Sequence, residues 1–119
     1  MDNLTVNVDM EILISGMRAD LSQLTKNIDE FSKYFRENKN SLDYKESLKI
    51  ATQYLNDCLV ARMKVNELVE FVHAYKNLIL YKNTVQDLRS RWDGVLNSQS
   101  FGITEVIRSI KYLSELSVK

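Results

Sequence analysis

The chain has 119 residues, of which 45% are hydrophobic and 27% charged, and its 16 basic and 16 acidic side chains cancel. This length fits one domain with a buried core and excludes a two-domain enzyme. Recurring aliphatic and aromatic residues argue against a disordered chain, and zero net charge is unlike the markedly basic face typical of nucleic-acid-binding domains.

Cysteine content and hydropathy predict the compartment. Cys58 is the only cysteine, so no disulfide forms within the chain, which favours a reducing environment. Its side chain is expected to be a small buried hydrophobe. No leader-like segment precedes the first predicted helix, and no run of about 18 apolar residues is present. We therefore expect a cytoplasmic protein that does not enter a membrane.

Residues that interrupt helices are scarce. Proline is absent, and the three glycines are Gly16, Gly94 and Gly102. The long interval between Gly16 and Gly94 consists mostly of good helix formers, whereas a β fold would need frequent turns. The sequence predicts an all-α protein.

The first predicted helix follows a short tail. Apolar Leu4, Val6 and Val8 alternate with polar residues, and we expect residues 1–8 to be extended. Asp9 is the expected N-cap of a helix with apolar residues at alternating spacings of four and three. The apolar seam of this first predicted helix comprises Met10, Ile14, Met17, Leu21, Leu24, Ile28, Phe31 and Phe35. Such an unbroken heptad pattern indicates a helix that packs on a partner helix along one side.

A polar turn at residues 38–41 precedes the second helical region, for which Ser41 is the expected N-cap. Two apolar stripes run along this region, one through Ala51 and Val65 and the other through Ile50 and Leu68. Two stripes indicate contacts with more than one neighbouring helix. The sequence leaves two possibilities open: one helix of roughly 50 residues, or two helices separated near Asn77 or Asn83.

Residues 97–102, which combine Asn and Ser with Gly102, predict a loop before a short last helix. One face of that helix carries Ile103, Ile107, Ile110 and Leu113, and we expect this face to contact a second subunit or a partner. The predicted organisation is an extended tail (1–8), a long antiparallel helical hairpin (9–97), and a loop with a C-terminal helix (98–119). Such seams favour a bundle or a homo-oligomer.

Catalytic and metal-binding patterns are weak. His73 is the only histidine and lies among apolar residues, so a packed or surface imidazole is a better interpretation than a general base. Phosphate-binding glycine loops and nucleophile motifs are absent. Trp92-Asp93-Gly94 is similar to the Trp-x-Gly turn of type VII secretion hairpins, but it also fits a core Trp followed by a helix-capping glycine. We expect no enzyme activity, cofactor or metal.

Basic residues among aromatic ones suggest a second possibility. Lys76, Lys82, Arg89 and Arg91 alternate with Tyr75, Tyr81 and Trp92. Aromatic rings that stack on bases, together with cations that neutralise phosphates, are typical of single-stranded nucleic-acid grooves. The alternative is that these aromatic side chains belong to the core or to an interface. The sequence leaves both possibilities open.

A family resemblance adds to this second possibility. Phe31-Ser32-Lys33-Tyr34-Phe35, Tyr44 to Ile50, Ala61-Arg62-Met63, and Gln99 to Ile103 leading into Ile107 and Ile110 resemble segments of the recombination mediator protein of T-even phages. The resemblance implies a ring-forming helical protein that binds single-stranded DNA and helps load a recombinase. It further implies that Arg62, the segment 100–108 with Arg108, and Lys111 face DNA or neighbouring subunits.

Two functional interpretations therefore follow from the sequence. In the first, the protein is an oligomeric, non-enzymatic recombination mediator or accessory factor that binds single-stranded DNA. In the second, it is an adaptor, chaperone, assembly factor or inhibitor, related to phage or to secretion, that acts only through protein contacts. The charge asymmetry between residues 1–74 (9 basic, 12 acidic) and 75–119 (7 basic, 4 acidic) suits self-assembly or docking.

Overall fold

Three long helices form the protein. The computed structural model describes the backbone of residues 3–118 and the side chains of residues 9–117. Helix α1 spans Asn3–Asn38, α2 spans Tyr44–Ala74 and α3 spans Lys82–Val118, with a six-residue 3-10 helix at Lys76–Tyr81. The described residues contain no strand, so the predicted all-α class is confirmed.

Contacts between side chains give the direction of each helix. His73 of α2 meets Gln86 of α3, whereas Arg62, earlier in α2, meets Asp93, later in α3. These two helices are therefore antiparallel. Gln99 of α3 donates to Asp29 of α1 at 3.0 Å. Burial and the nearby carboxylate of Glu11 raise the pKa of Tyr81, the residue directly before α3, so Glu11 of α1 lies close to Tyr81. Residue numbers therefore increase in the same direction along α1 and α3, and these two helices are parallel. The bundle is an elongated body of 66 × 19 × 18 Å.

The α1 seam is the best-predicted part of the core. Its members Met10, Ile14, Leu21, Ile28 and Phe35 are buried, and the remaining three pack against the core. Seven-residue spacing keeps one side of the helix facing its neighbours along its whole length. The prediction of a long interacting helix is confirmed.

The beginning of α1 differs from the prediction. The helix begins at Asn3, so the expected extended tail is wrong for residues 3–8, while residues 1 and 2 lie outside the described part. Alternating apolar residues suggested an extended tail, but the backbone continues the helix instead. The N-cap of α2 also differs: Asp43, rather than Ser41, accepts the backbone N–H of Glu46 at 3.1 Å.

The second helical region is divided, as one of the two predicted alternatives requires. Helix α2 ends at Ala74, and Tyr75 adopts an extended backbone with φ −122° and ψ 120°. The 3-10 helix then carries Leu78 back into the core, where it is buried. Neither glycine nor proline marks this break. The end of α2 therefore coincides with the packing of Leu78 in the core, and no helix-breaking residue in the local sequence marks it.

The predicted loop at residues 97–102 is wrong. Helix α3 continues through Gly94 and Gly102 as a single helix of 37 residues. Leu96, Ile103 and Ile110 are all buried, at intervals of seven residues on either side of the expected loop. This continuous core face holds the helix through a polar and glycine-containing stretch. The predicted two-helix hairpin with a short C-terminal helix is accordingly replaced by three long helices.

Candidate functional site

An open groove lies between α1 and α2. Both helices pack more extensively on α3 than on each other, and an open volume of about 580 Å³ remains between them. One wall is formed by α1 and the other by α2. The lining residues are Ile12, Leu13, Gly16, Met17, Asp20, Leu21, Leu24, Asp57, Val60, Ala61 and Lys64.

The groove exposes carbon-rich surface. Ile12 is 65% exposed and Leu13 is 47% exposed, although both are large aliphatic side chains. Gly16 adds to the opening, because apart from the adjacent turns of α1 no atom would lie within 4 Å of a Cβ at this position. Surfaces of this composition on small proteins commonly mark places where another apolar surface docks.

Two carboxylates and one ammonium group give the groove its polarity. Asp20 lies on the α1 wall, and Asp57 lies on the α2 wall with Lys64 two turns further along. Asp57 accepts a hydrogen bond from Gln53 at 2.8 Å. Neither carboxylate forms an ion pair with any residue whose side chain the structure describes. Because Asp20 and Asp57 line opposite walls, these two carboxylates favour a cationic group between them.

The six residues predicted to bind nucleic acid do not form one patch. Lys76 lies in the 3-10 helix, and the other five are distributed along α3. Lys82 and Lys111 are roughly 44 Å apart along the helix axis at 1.5 Å per residue. Arg89 and Arg91 project on different sides, since two residues turn a helix by about 200°. Arg108 already forms an ion pair with Glu105 at 2.8 Å.

The residues predicted to contact a partner lie largely inside the monomer. Ile103 and Ile110 are fully buried in the core of the bundle, and Ile107 and Leu113 pack against that core. This correction follows from α3 being one continuous helix that already has neighbours on this face. A partner would reach Ile103 and Ile110 only if the bundle opened.

His73 is held by hydrogen bonds rather than placed in a site. Its Nδ1 lies 2.7 Å from the carbonyl oxygen of Val69, and its Nε2 lies 3.1 Å from Nε2 of Gln86. These partners fit one neutral tautomer, in which Nδ1 donates to the carbonyl and Nε2 accepts from the amide. The interpretation of His73 as a surface imidazole agrees with this geometry.

Trp92 packs against the core from α3, and Asp93 lies 4.0 Å from Arg62 across the α2–α3 contact. At that distance the two groups form an ion pair without a hydrogen bond, and Nε of Arg62 is buried without a hydrogen-bond partner among the described residues. Because Gly94 lies inside α3, neither the Trp-x-Gly turn nor the helix-capping glycine describes this segment.

Cys58 is buried between α2 and α3, as predicted. Burial raises the pKa of its thiol, and the adjacent Ser100 hydroxyl offsets part of this rise. The reactive thiolate is therefore scarcer than for an ordinary cysteine at the same pH. We expect a thiol reagent at pH 8 to modify native Cys58 at least about a hundredfold more slowly than the unfolded chain, because the open form is rare.

The labelling experiment has a matched control in the same protein. A Ser22→Cys variant in a Cys58→Ala background presents an exposed thiol on α1 and should react rapidly while folded. Equal rates for native Cys58 and for the thiol introduced on α1 would show that Cys58 is accessible.

The structure also reveals features that the sequence did not single out. Ile12 and Leu13 lie beside the α1 seam rather than in it, and their position outside the heptad pattern was an available signal. A second exposed apolar cluster at the α2–α3 junction contains Phe71, Tyr75, Ile79 and Leu80, with the Phe71 and Tyr75 rings 4.8 Å apart.

No group of three or more His, Cys, Asp or Glu side chains within the described residues is arranged to hold a metal ion. No helix in this part of the chain is long and apolar enough to cross a membrane.

Comparison of the chain with protein-family models, with curated proteins and with solved structures finds no match.

Proposed function

We propose that this chain is a non-enzymatic adaptor whose α1–α2 groove binds one amphipathic helix of a partner protein. The observation that carries the proposal is the open apolar groove between α1 and α2. Ile12, Leu13 and Val60 provide apolar contact surface there. An apolar face that docks between two helices is a common mode of peptide recognition.

The shape of the groove supports a helix as the bound element. Its two walls are long helices, and α3 covers their other side. A fourth helix laid between α1 and α2 would complete a four-helix bundle with its apolar residues at positions i, i+3, i+4 and i+7. Gly16 allows the backbone of such a helix to approach closely, because its position carries no side chain.

The charges of the groove specify the partner further. Asp20 and Asp57 line opposite walls and have no ionic partner among the described side chains. A Lys or Arg near the middle of the bound helix would lie between them, with its carbon chain on the apolar surface. Exposed pairs of this kind contribute about 0.2–1 kcal/mol each, so charge selects the partner while apolar contact provides most of the affinity.

Synthetic helices test the proposal directly. One peptide of about 18 residues carries Leu on a single face and one central Lys, a second has Glu in place of that Lys, and a third has the same composition in scrambled order. We expect the Lys peptide to bind the folded protein most tightly in fluorescence anisotropy. Asp20→Asn combined with Asp57→Asn should weaken Lys-peptide binding by about fivefold.

Blocking the groove provides the matched control. Gly16→Leu should fill the groove and abolish peptide binding, whereas Ala19→Leu, on an exposed part of α1 outside the groove lining, should not. Absence of binding by any peptide would overturn the adaptor proposal. Binding of single-stranded oligonucleotide that falls steeply with salt and survives Gly16→Leu would favour the recombination-mediator interpretation instead.

A further inference from the structure

The side of α3 that points away from the other helices carries an unusual exposed pattern. Phe101 is 70% exposed and Tyr112 is 62% exposed, and Leu116 lies one turn beyond. Glu105 and Arg108 lie between the two aromatic residues. Spacings of four, three, four and four place all five side chains on one side of the helix. We call this set the α3 outer face.

The α3 outer face is separate from the core face of α3 and from the α1–α2 groove. The core face of the same helix contains Ile103 and Ile110, which are buried, and the α1–α2 groove contains no α3 residue. Within the described residues, no side chain outside α3 is bonded to Glu105 or Arg108. Two large aromatic side chains on one exposed stripe indicate a surface that another protein covers.

The order of residues on this face is self-complementary. In an antiparallel pair of α3 helices, the residue numbers of any two facing residues add up to the same value. Pairing Phe101 with Tyr112 of the partner subunit sets that value. The same alignment places Glu105 opposite Arg108 of the partner subunit. One register therefore satisfies an aromatic pair and an ion pair together, and a twofold axis repeats both contacts.

We propose that a second copy of this chain docks antiparallel on the α3 outer face and forms a symmetric dimer. The two intrahelical Glu105–Arg108 pairs become one network of four alternating charges at the centre of the interface. Phe101 and Tyr112 pairs flank this network on both sides. Gly102 and Ser109 lie on one edge of the face. Apart from the adjacent turns of α3, no atom lies within 4 Å of a Cβ added at Gly102, so the helices can approach closely.

Charge reversal tests the dimer without disturbing the core. Glu105→Arg opposes Arg108 of the partner subunit, and Arg108→Glu opposes Glu105 of the partner subunit. Each variant alone should raise the dimer dissociation constant at least about tenfold in sedimentation experiments, because like charges meet twice across the twofold axis. Mixing the two variants should restore a dimer of wild-type affinity, since every facing pair is again oppositely charged.

The controls match these charge changes elsewhere on α3. Asp87→Arg and Arg91→Glu alter exposed residues that lie beyond the interface, and both should leave dimerisation unchanged. Circular dichroism should show wild-type helicity for all four variants, since exposed ion pairs contribute little to folding. A wild-type protein that remains monomeric at millimolar concentration, or reversed-charge variants that dimerise normally alone, would overturn the proposal.

The dimer and the adaptor groove are separable by experiment. Gly16→Leu should leave the sedimentation of the protein unchanged, and Arg108→Glu should leave binding of the Lys peptide unchanged. A wild-type protein that dimerises but binds none of the peptides would contradict only the groove. A wild-type protein that binds the Lys peptide but stays monomeric would contradict only the α3 outer face.

Discussion

Replacement of Ile28 by aspartate should unfold the protein. Ile28 is 1% exposed and lies within the α1 seam, where it packs in the common core. An unpaired carboxylate buried among aliphatic side chains costs several kcal/mol, a large part of the roughly 5–15 kcal/mol that stabilises a small domain. Circular dichroism at 25 °C should show loss of most of the helical signal. Alternatively, heating should show no cooperative melting transition.

The control for this variant is Ala19→Asp, which introduces the same carboxylate at an exposed position of the same helix. It should melt within a few degrees of the wild type, because a charge on a solvated helix face changes stability by only about 0.5 kcal/mol. Wild-type melting of Ile28→Asp would show that α1 does not bury its seam.

Gly102→Pro is expected to destabilise the protein by about 3 kcal/mol or more. Residue 102 lies inside α3, where proline removes the hydrogen bond to the carbonyl of Ser98 and its ring collides with that carbonyl. Urea denaturation at low protein concentration would measure the change in unfolding free energy. A proline tolerated at this position would instead support a loop at residues 97–102.

Gly102→Ala is the matched variant and should act in the opposite direction. Nothing lies within 4 Å of an added Cβ, and no described glycine has a positive φ. Alanine should therefore stabilise the helix by about 1 kcal/mol, since it loses less backbone entropy on folding than glycine does. Destabilisation by alanine would indicate a left-handed backbone at this position.

The sequence predicted α1 well because its signal is both local and periodic. From Met10 to Phe35, every heptad position is apolar, and burial follows that pattern closely. The division of α2 from α3 was only one of two alternatives, since the break at Tyr75 depends on how Leu78 packs. Tertiary contacts of this kind leave no distinct mark in the local sequence.

Helix α3 shows where local signals mislead. Asn97, Ser98 and Gly102 favour a loop when their propensities are considered alone. The seven-residue spacing of Leu96, Ile103 and Ile110 was present in the same sequence and predicts one helix. Burial of these three side chains contributes several kcal/mol and exceeds the propensity cost of about 1 kcal/mol for a helical glycine.

The groove could be predicted from the sequence only in part, for a different physical reason. It arises because α1 packs more on α3 than on α2, and the separation between two helices is a property of the whole bundle. The apolar character of Ile12, Leu13 and Val60 is visible in the sequence, but their exposure is not. The α3 outer face was missed because the predicted interface was assigned to the opposite side of that helix.

Three helices that alternate in direction place the beginning of the first and the end of the last far apart. Because α1 and α3 point the same way, Asn3 and Val118 lie at opposite ends of a body 66 Å long. A fluorophore pair attached near these two positions would therefore be separated by a distance beyond efficient energy transfer. The folded bundle therefore keeps these two positions apart along its whole length, so that groups attached near them do not meet while the chain is folded.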